Sequence, residues 1–464
     1  MNNIFPSNKG VNFKEYDLAE ALEEGLTFIK ENKFEKAEIL YRSILQTDSK
    51  IIEAHHNLAI TLQYLNRSEE ALVHYSQTIK LKPDHALAHT NFGVSLENIQ
   101  RFEEAIEKHK QAIALDQNCA EAYNNLGTTF VKLYRLEEAE QNFKKAMLLT
   151  PNYIRAYSNL SDVLVLLEKY EEAVSVCSYI LEMDNKNIVT KRRLLVILNY
   201  FLPQKKSTNS IIIVNEDIKK IKNTFTLEGG INNLDLANLL KKSNKTIKDK
   251  IKDNVEELIF HKTQIYRRNT IDYSLYKHKE VFNKIDIIPK FNFSHFKIVI
   301  EPENVLGLCK LFFIFDKLIL PENNLKRCMV EIRPKVSGTY KGLIYCSSVE
   351  EANKILEMIT PIINGLIKAK IKIENRPDDK DKKKREEEIW KISKANIFKS
   401  TNCKYSLSGL SISDVTIINN WLNYAKLIND LTYKKINEEL PSSKYISLLL
   451  SGQIDIRKME FWSK

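Results

Sequence analysis

Four asparagines return at a fixed interval of 34 residues: Asn57, Asn91, Asn125 and Asn159. A carboxamide has two N–H donors and an acceptor oxygen, so a row of them can bond polar groups of either kind without carrying charge. Other hydrogen-bonding side chains stand close to this row: His56, Tyr64, Thr90, Asn98, Asn124 and Thr128. A second set lies far along the chain and is mostly basic: Lys297, Arg333, Lys341, Tyr345, Lys370 and Lys372. Cations beside one aromatic ring could attract phosphate, although one ring supports little base stacking.

The usual signatures of catalysis are missing from the sequence. There is no GxxxxGK[ST], GxGxxG, HExxH or GxSxG motif. The histidines outside the first 200 residues, His261, His278 and His295, form no HxD or HxxxH pair. Six cysteines (119, 177, 309, 328, 346, 403) are scattered without a CxxC pair, which argues against a zinc site and against a disulfide framework. No metal or cofactor is expected. Reduced cysteines fit a reducing compartment, most simply the cytoplasm. The start, MNNIFPSNKGVNFKEYD, lacks a basic stretch followed by an apolar core, and no uncharged apolar run of 18 or more residues appears. Neither a secretory leader nor a membrane span is expected.

Charge divides the chain. Residues 18–187 hold 18 Lys+Arg against 26 Asp+Glu, whereas residues 188–464 hold 50 against 32. Halves of opposite sign point to surfaces with different partners, or to a lysine-rich composition whose excess is simply solvated.

The asparagines belong to a longer period. Units beginning at Leu18, Ile52, Ala86, Ala120 and Ile154 share a small eighth residue (Gly25, Ala59, Gly93, Gly127, Ser161) and an alanine at the twentieth place (Ala37, Ala71, Ala105, Ala139, Ala173). Large apolar residues fill the eleventh place. The twenty-fourth place holds Tyr41, Tyr75, His109, Phe143 and Cys177, and Pro83 and Pro151 close two of the units. Small residues let two helices cross closely, and proline stops the second helix. Each unit is therefore a helical hairpin that buries its apolar face only by stacking on its neighbours.

Period, small residues and proline placement resemble the tetratricopeptide repeat (TPR) family. The resemblance implies an all-α superhelix over 18–201, made of five units plus a capping helix at 188–201. In the family, the sixth place lies on the first helix of each hairpin, toward the concave surface. The resemblance thus implies a groove in which Asn57, Asn91, Asn125 and Asn159 bond the backbone of an extended protein segment, with His56, Tyr64, Thr90, Asn124 and Thr128 setting selectivity. The row looks like the ladder of protein O-glycosyltransferase repeat domains. The alternative is that asparagine is merely common at this place in the family.

The second half has a different rhythm. Residues 203–210 read as a polar linker, and 211–290 as helices of uncertain limits, with 241–254 a loop or a solvated helix. From 296 the order is strand (296–301), helix (303–318), strand (327–333), strand (341–347), helix (349–363) and strand (369–374), the β-α-β-β-α-β order of a ferredoxin-like sandwich. Alternation places the apolar set under the helices and leaves Lys297, Met329, Glu331, Arg333, Tyr345, Lys370 and Lys372 on the open face. RNA-recognition modules share this fold. Here Leu343 occupies an expected aromatic position, and Lys341-Gly342 and Tyr345 are what remains of their motif. A stripe of Val415, Ile418, Trp421, Ala425, Ile428 and Leu431 on a helix over 413–440 is expected to pack on the sandwich.

The whole reads as an α + β multidomain chain: a tail (1–17), the TPR superhelix (18–201), a linker and helical segment (202–295), the ferredoxin-like domain (296–375) and a helical extension (376–464). The expected function is an adaptor that holds a protein segment in its groove and docks a second partner through the basic half. Two alternatives stay open: a glycosyltransferase-like enzyme fused to the repeats, and a nucleic-acid binder acting through the basic half.

Overall fold

The computed structural model describes residues 3–6, 13–204, 206–221, 225–251, 264–267, 296–321, 324–331, 338–346, 348–375 and 410–436. The chain divides into two compact units, Met1–Leu167 and Glu168–Lys464. The division falls between the two helices of the fifth repeat read from sequence.

The first unit opens with an antiparallel pair, β1 (Asn3–Pro6) and β2 (Phe13–Tyr16), where the sequence reading places a tail; Asn3 lies opposite Tyr16. Nine helices follow among the described residues of this unit: α1 (Leu18–Lys30), α2 (Phe34–Thr47), α3 (Ile52–Tyr64), α4 (Ser68–Leu81), α5 (Ala86–Asn98), α6 (Phe102–Leu115), α7 (Ala120–Lys132), α8 (Leu136–Leu149) and α9 (Ile154–Leu166). Each odd-numbered helix begins at the residue where a sequence unit begins.

The crossing inside each hairpin follows from residue size. A Cβ added at Gly93 would sit 2.5 Å from His109, and one added at Gly127 would sit 2.7 Å from Phe143. No side chain fits there, so the small eighth place exists to seat the ring at the twenty-fourth. The turn between helices is also repeated. Asn32, Asn66, Gln100 and Tyr134 all adopt positive φ, near 60°. The N–H that follows each one bonds back five residues, as Arg101 does to Leu96 O at 2.9 Å and Arg135 to Phe130 O at 2.9 Å. These are Schellman turns built without glycine, which is why they leave no obvious mark in the sequence.

Successive first helices touch one another: α1 with α3, α3 with α5, α5 with α7, and α7 with α9. The second helices α2, α4, α6 and α8 make no contact of that extent with one another. A stack whose first helices lie closer together than its second helices must curve, with the first helices on the inside.

The second unit contains α10 (Tyr170–Met183), α11 (Ile188–Tyr200), α12 (Ser210–Lys220) and α13 (Asn233–Lys250), followed by β3 (Gln264–Arg267), β4 (Phe296–Pro302), α14 (Val305–Lys317), β5 (Lys326–Val330), β6 (Tyr340–Cys346), α15 (Val349–Leu366), β7 (Ala369–Asn375), α16 (Ile412–Leu427) and a 3-10 turn (Leu431–Lys435). The sheet is antiparallel throughout, in the order β3-β5-β6-β4-β7. β3 is an unforeseen edge strand in a segment that reads as helical, and α13 shows that 241–250 is helix. Gly342 in β6 faces α14, where a Cβ would run into Leu311 and meet Phe315 at 3.1 Å. Ser348 caps α15 by accepting from Glu351 N at 3.1 Å.

α16 packs against α11, α12, α13, α14 and β3, with Val415, Ile418, Trp421 and Ala425 fully buried. It is shorter than the sequence reading has it. Asn429 turns with φ 60°, Asp430 caps the 3-10 turn through Thr432 N, and Ile428 and Leu431 stay exposed. Asp430 also accepts from Val305 N at 2.7 Å and Tyr340 Oη at 2.8 Å, so its carboxylate ties this turn to α14 and β6. The charge-dense stretch after residue 376 and the chain beyond 436 lie outside the described residues.

Candidate functional site

The inner wall of the first unit is formed by α3, α5, α7 and α9. On a helix, the second, fifth, sixth, ninth, twelfth and thirteenth places of a unit share one face. Asn57, Asn91, Asn125 and Asn159 occupy the sixth place on these four helices, and all are half-buried. Their partners differ. Asn57 bonds Tyr41, whose hydroxyl is pushed up by burial while this bond opposes the shift. Asn125 Oδ1 accepts from Asn124 Nδ2 at 3.3 Å, and Asn159 Nδ2 donates to Asn124 Oδ1 at 2.9 Å. The Asn91 carboxamide has no partner among the described residues, although its backbone carbonyl accepts from Gln63 Nε2 at 3.0 Å.

Of the residues expected to set selectivity, three are buried in the wall and do not line it. Thr90 is 0% exposed and donates to Ala86 O at 3.1 Å. Asn124 is 1% exposed and joins Asn125 to Asn159. His56 is 6% exposed and stacks on His85 at 4.9 Å, and neither of its ring nitrogens has a partner. Burial, helped by His85, lowers its pKa to about 4. Thr128 is half-buried, donating to Asn124 O at 3.0 Å. Tyr64 is 59% exposed and stacks flat on Phe34 at 4.7 Å.

The structure adds a polar seam that the sequence reading missed. At the twelfth place, Gln63 accepts from Tyr75 Oη at 2.8 Å within its own hairpin and donates to Ser95 Oγ at 2.6 Å in the next. One unit later, Glu97 Oε1 accepts from His109 Nε2 at 3.0 Å and from the Thr129 hydroxyl. The twelfth, twenty-fourth and following tenth places thus form a relay between repeats. Polar residues at all three places of two successive units were the available signal. A further pair, buried His55 and half-buried His74, has its two Nδ1 atoms 2.9 Å apart, with His55 Nε2 on Ser49 O at 3.0 Å. The carbonyl can only accept, so His55 is protonated at Nε2 and shares the other nitrogen with His74.

The expected basic face of the sheet is not a free cationic surface. Lys372 Nζ lies 3.2 Å from Glu301 and 3.0 Å from Glu374, and Lys297 lies 4.0 Å from Glu374. Lys341 is buried, as are Met329 and Glu331, so this face is not open. At its centre Val299, Met329 and Leu343 form an apolar cluster with Tyr345, whose hydroxyl accepts from Arg327 at 3.2 Å. Lys370 is exposed, and Arg333 lies outside the described residues. Carboxylates beside the lysines cancel the field that a phosphate would follow. No group of three or more His, Cys, Asp or Glu among the described residues could hold a metal ion. A cavity of about 220 Å³ in the second unit is lined by Phe225, Ile231, Asn232, Lys310, Ile314 and Leu366, with no acid–base pair among them. No described helix is long and apolar enough to cross a membrane.

The model described as a TPR repeat matches residues 98–133, and that described as a tetratricopeptide repeat matches residues 120–153. No curated protein sequence matches the chain. Among solved structures, MamA is 23% identical and aligns over 36% of this chain and 92% of its own, with a TM-score of 0.32. Pseudomonas aeruginosa PilF is 20% identical over 39% of this chain and 82% of its own, TM-score 0.36. A thermophilic TPR protein of Thermus thermophilus, TTC0263, is 19% identical over 39% and 98%, TM-score 0.35. The two matched segments show that the chain carries tetratricopeptide repeats over residues 98–153, inside the array of helical hairpins whose period runs from Leu18.

Proposed function

We propose that the first unit is a protein-interaction scaffold that holds an extended protein segment along the inner wall of its superhelix. One observation carries this reading: half-buried carboxamides stand at the same place on four adjoining helices, one of them, Asn91, with its side chain uncommitted. Each carboxamide can make more bonds than it makes here, and a peptide backbone offers both complements at regular spacing. Exposed Tyr64 and Leu87 add apolar contact at the same wall. The test is recovery of co-purifying proteins by the full chain and by the Asn91→Ala and Asn125→Ala double variant. Loss of a partner with unchanged circular dichroism supports the groove; identical recovery removes it.

The same reading takes the second unit as a ferredoxin-like sandwich extended by the edge strand β3. Its support is the chain order β-α-β-β-α-β with β4 and β6 adjacent at the centre, and α14 and α15 against the sheet. We assign this half the docking of a second protein, on the excess of 50 basic over 32 acidic residues in 188–464. The paired lysines disfavour a nucleic-acid partner; a salt series with single-stranded RNA checks that directly. A reducing, cytoplasmic setting rests on the cysteines, of which Cys119, Cys177, Cys309, Cys328 and Cys346 are free thiols.

A further inference from the structure

The seam between repeats has one charged member. At the twelfth place the first unit carries Ile29, Gln63, Glu97, Val131 and Val165 in turn, so at that place only the third hairpin has a carboxylate. Glu97 is 12% exposed at the side chain, and its Oε1 is taken by His109 and Thr129. Thr129 is uncharged. His109 is 0% exposed and donates through Nε2, while its Nδ1 lies over Gly93 with no hydrogen-bond partner. No lysine or arginine among the described residues pairs with Glu97. A carboxylate largely withdrawn from water, with both its donors on one oxygen and no lysine or arginine beside it, has room for a further cationic partner.

Position makes this charge available to a bound segment. Thr129 Oγ1 also lies 3.0 Å from Asn125 O, so its one proton is shared between that carbonyl and Glu97, and Glu97 stands beside the sixth-place row, six residues after Asn91 on α5. We infer that the groove receives a cationic side chain, a lysine or arginine of the bound protein segment, against Glu97 between Asn91 and Asn125. This rests on the groove reading above and names the residue class that the groove selects. Charge complementarity favours it beyond the single carboxylate, because residues 18–167 carry 16 Lys+Arg against 21 Asp+Glu. Gln63 shows that a glutamine fits the same seam, so Glu97→Gln removes the charge and keeps an acceptor for His109 and Thr129.

The test selects a displayed random-peptide library on the full chain and on its Glu97→Gln variant, after matching their thermal midpoints. Peptides enriched on the parent should share a basic position, and that enrichment should vanish on Glu97→Gln. Replacing the basic residue of a selected peptide by norleucine should weaken binding to the parent about tenfold and leave binding to the variant nearly unchanged. Peptides that depend on Asn91 but show no basic position overturn this inference and leave the groove standing. Equal basic enrichment on both proteins also overturns it. No peptide dependent on Asn91 or Asn125 overturns both.

Discussion

Replacing Asn159 by alanine should loosen the end of the first unit, for a reason located on another helix. Asn124 on α7 is 1% exposed, and its Oδ1 accepts from Asn159 Nδ2 on α9 at 2.9 Å. Without Asn159 that oxygen is a buried acceptor with no donor, which costs about 1–3 kcal/mol. Asn124→Ala removes acceptor and donor together. Its former partners, Asn125 and Asn159, are half-buried and can take water, so its cost is about 1–2 kcal/mol. The double variant should therefore lose less than the sum of the two singles, with a coupling of about 1 kcal/mol. Native-state hydrogen exchange of the full chain reads this locally, since about 1.4 kcal/mol is tenfold in protection. Asn159→Ala should lower protection of α7 and α9 amides by about tenfold and leave α1–α4 unchanged. Unchanged protection in Asn159→Ala, or strictly additive losses in the cycle, would show that the carboxamide chain holds nothing together. Asn91→Ala provides the contrast: with no side-chain bond to lose, it should alter partner recovery and spare exchange.

Acid should weaken the second repeat first. Burial lowers His56 to about 4, and burial with nearby His55 and Arg42 lowers His74 to about 4, against a weaker opposing pull from Glu70. Folded values below the ordinary 6.5 mean stability that is whole above pH 6.5 and is lost as pH falls toward 4, on the order of 2 kcal/mol for His56. Urea midpoints across that window should be flatter in His56→Gln than in the parent. Gly93→Ala should cost about 1–3 kcal/mol, because the new methyl would lie 2.5 Å from His109 and drive the ring off Glu97; a thermal midpoint equal to the parent's would contradict the close crossing. Gln100→Gly should raise stability by about 0.5–1 kcal/mol by relieving φ 63° at the turn, and a lower midpoint would show that its side chain contributes more than the strain costs.

The repeat register was legible because it is set by contacts close in sequence. A helix must start where the small eighth place can meet the twenty-fourth, and the period therefore put α1, α3, α5, α7 and α9 at Leu18, Ile52, Ala86, Ala120 and Ile154. The β-α-β-β-α-β order from 296 was legible for the same local reason, since period-two and helical spacing each leave a mark within about ten residues. The positive-φ turns at Asn32, Asn66, Gln100 and Tyr134 were not, because no glycine stands there.

What the amino-acid order determined by itself was which places share a face: the asparagines at the sixth place, the rings at the twenty-fourth, the lysines on alternate positions of the strands. Tertiary structure alone decided which of those groups are spent. Thr90, His56 and Asn124 share the groove-facing pattern but are covered once neighbouring hairpins stack. Lys297 and Lys372 read as a basic face until the sheet register brought Glu374 and Glu301 beside them. Glu97 became the one charged member of its seam only when α5, α6 and α7 met. Periodicity fixes direction within an element, whereas burial and charge pairing depend on the distance between elements, and that distance is set by the packing of the whole unit.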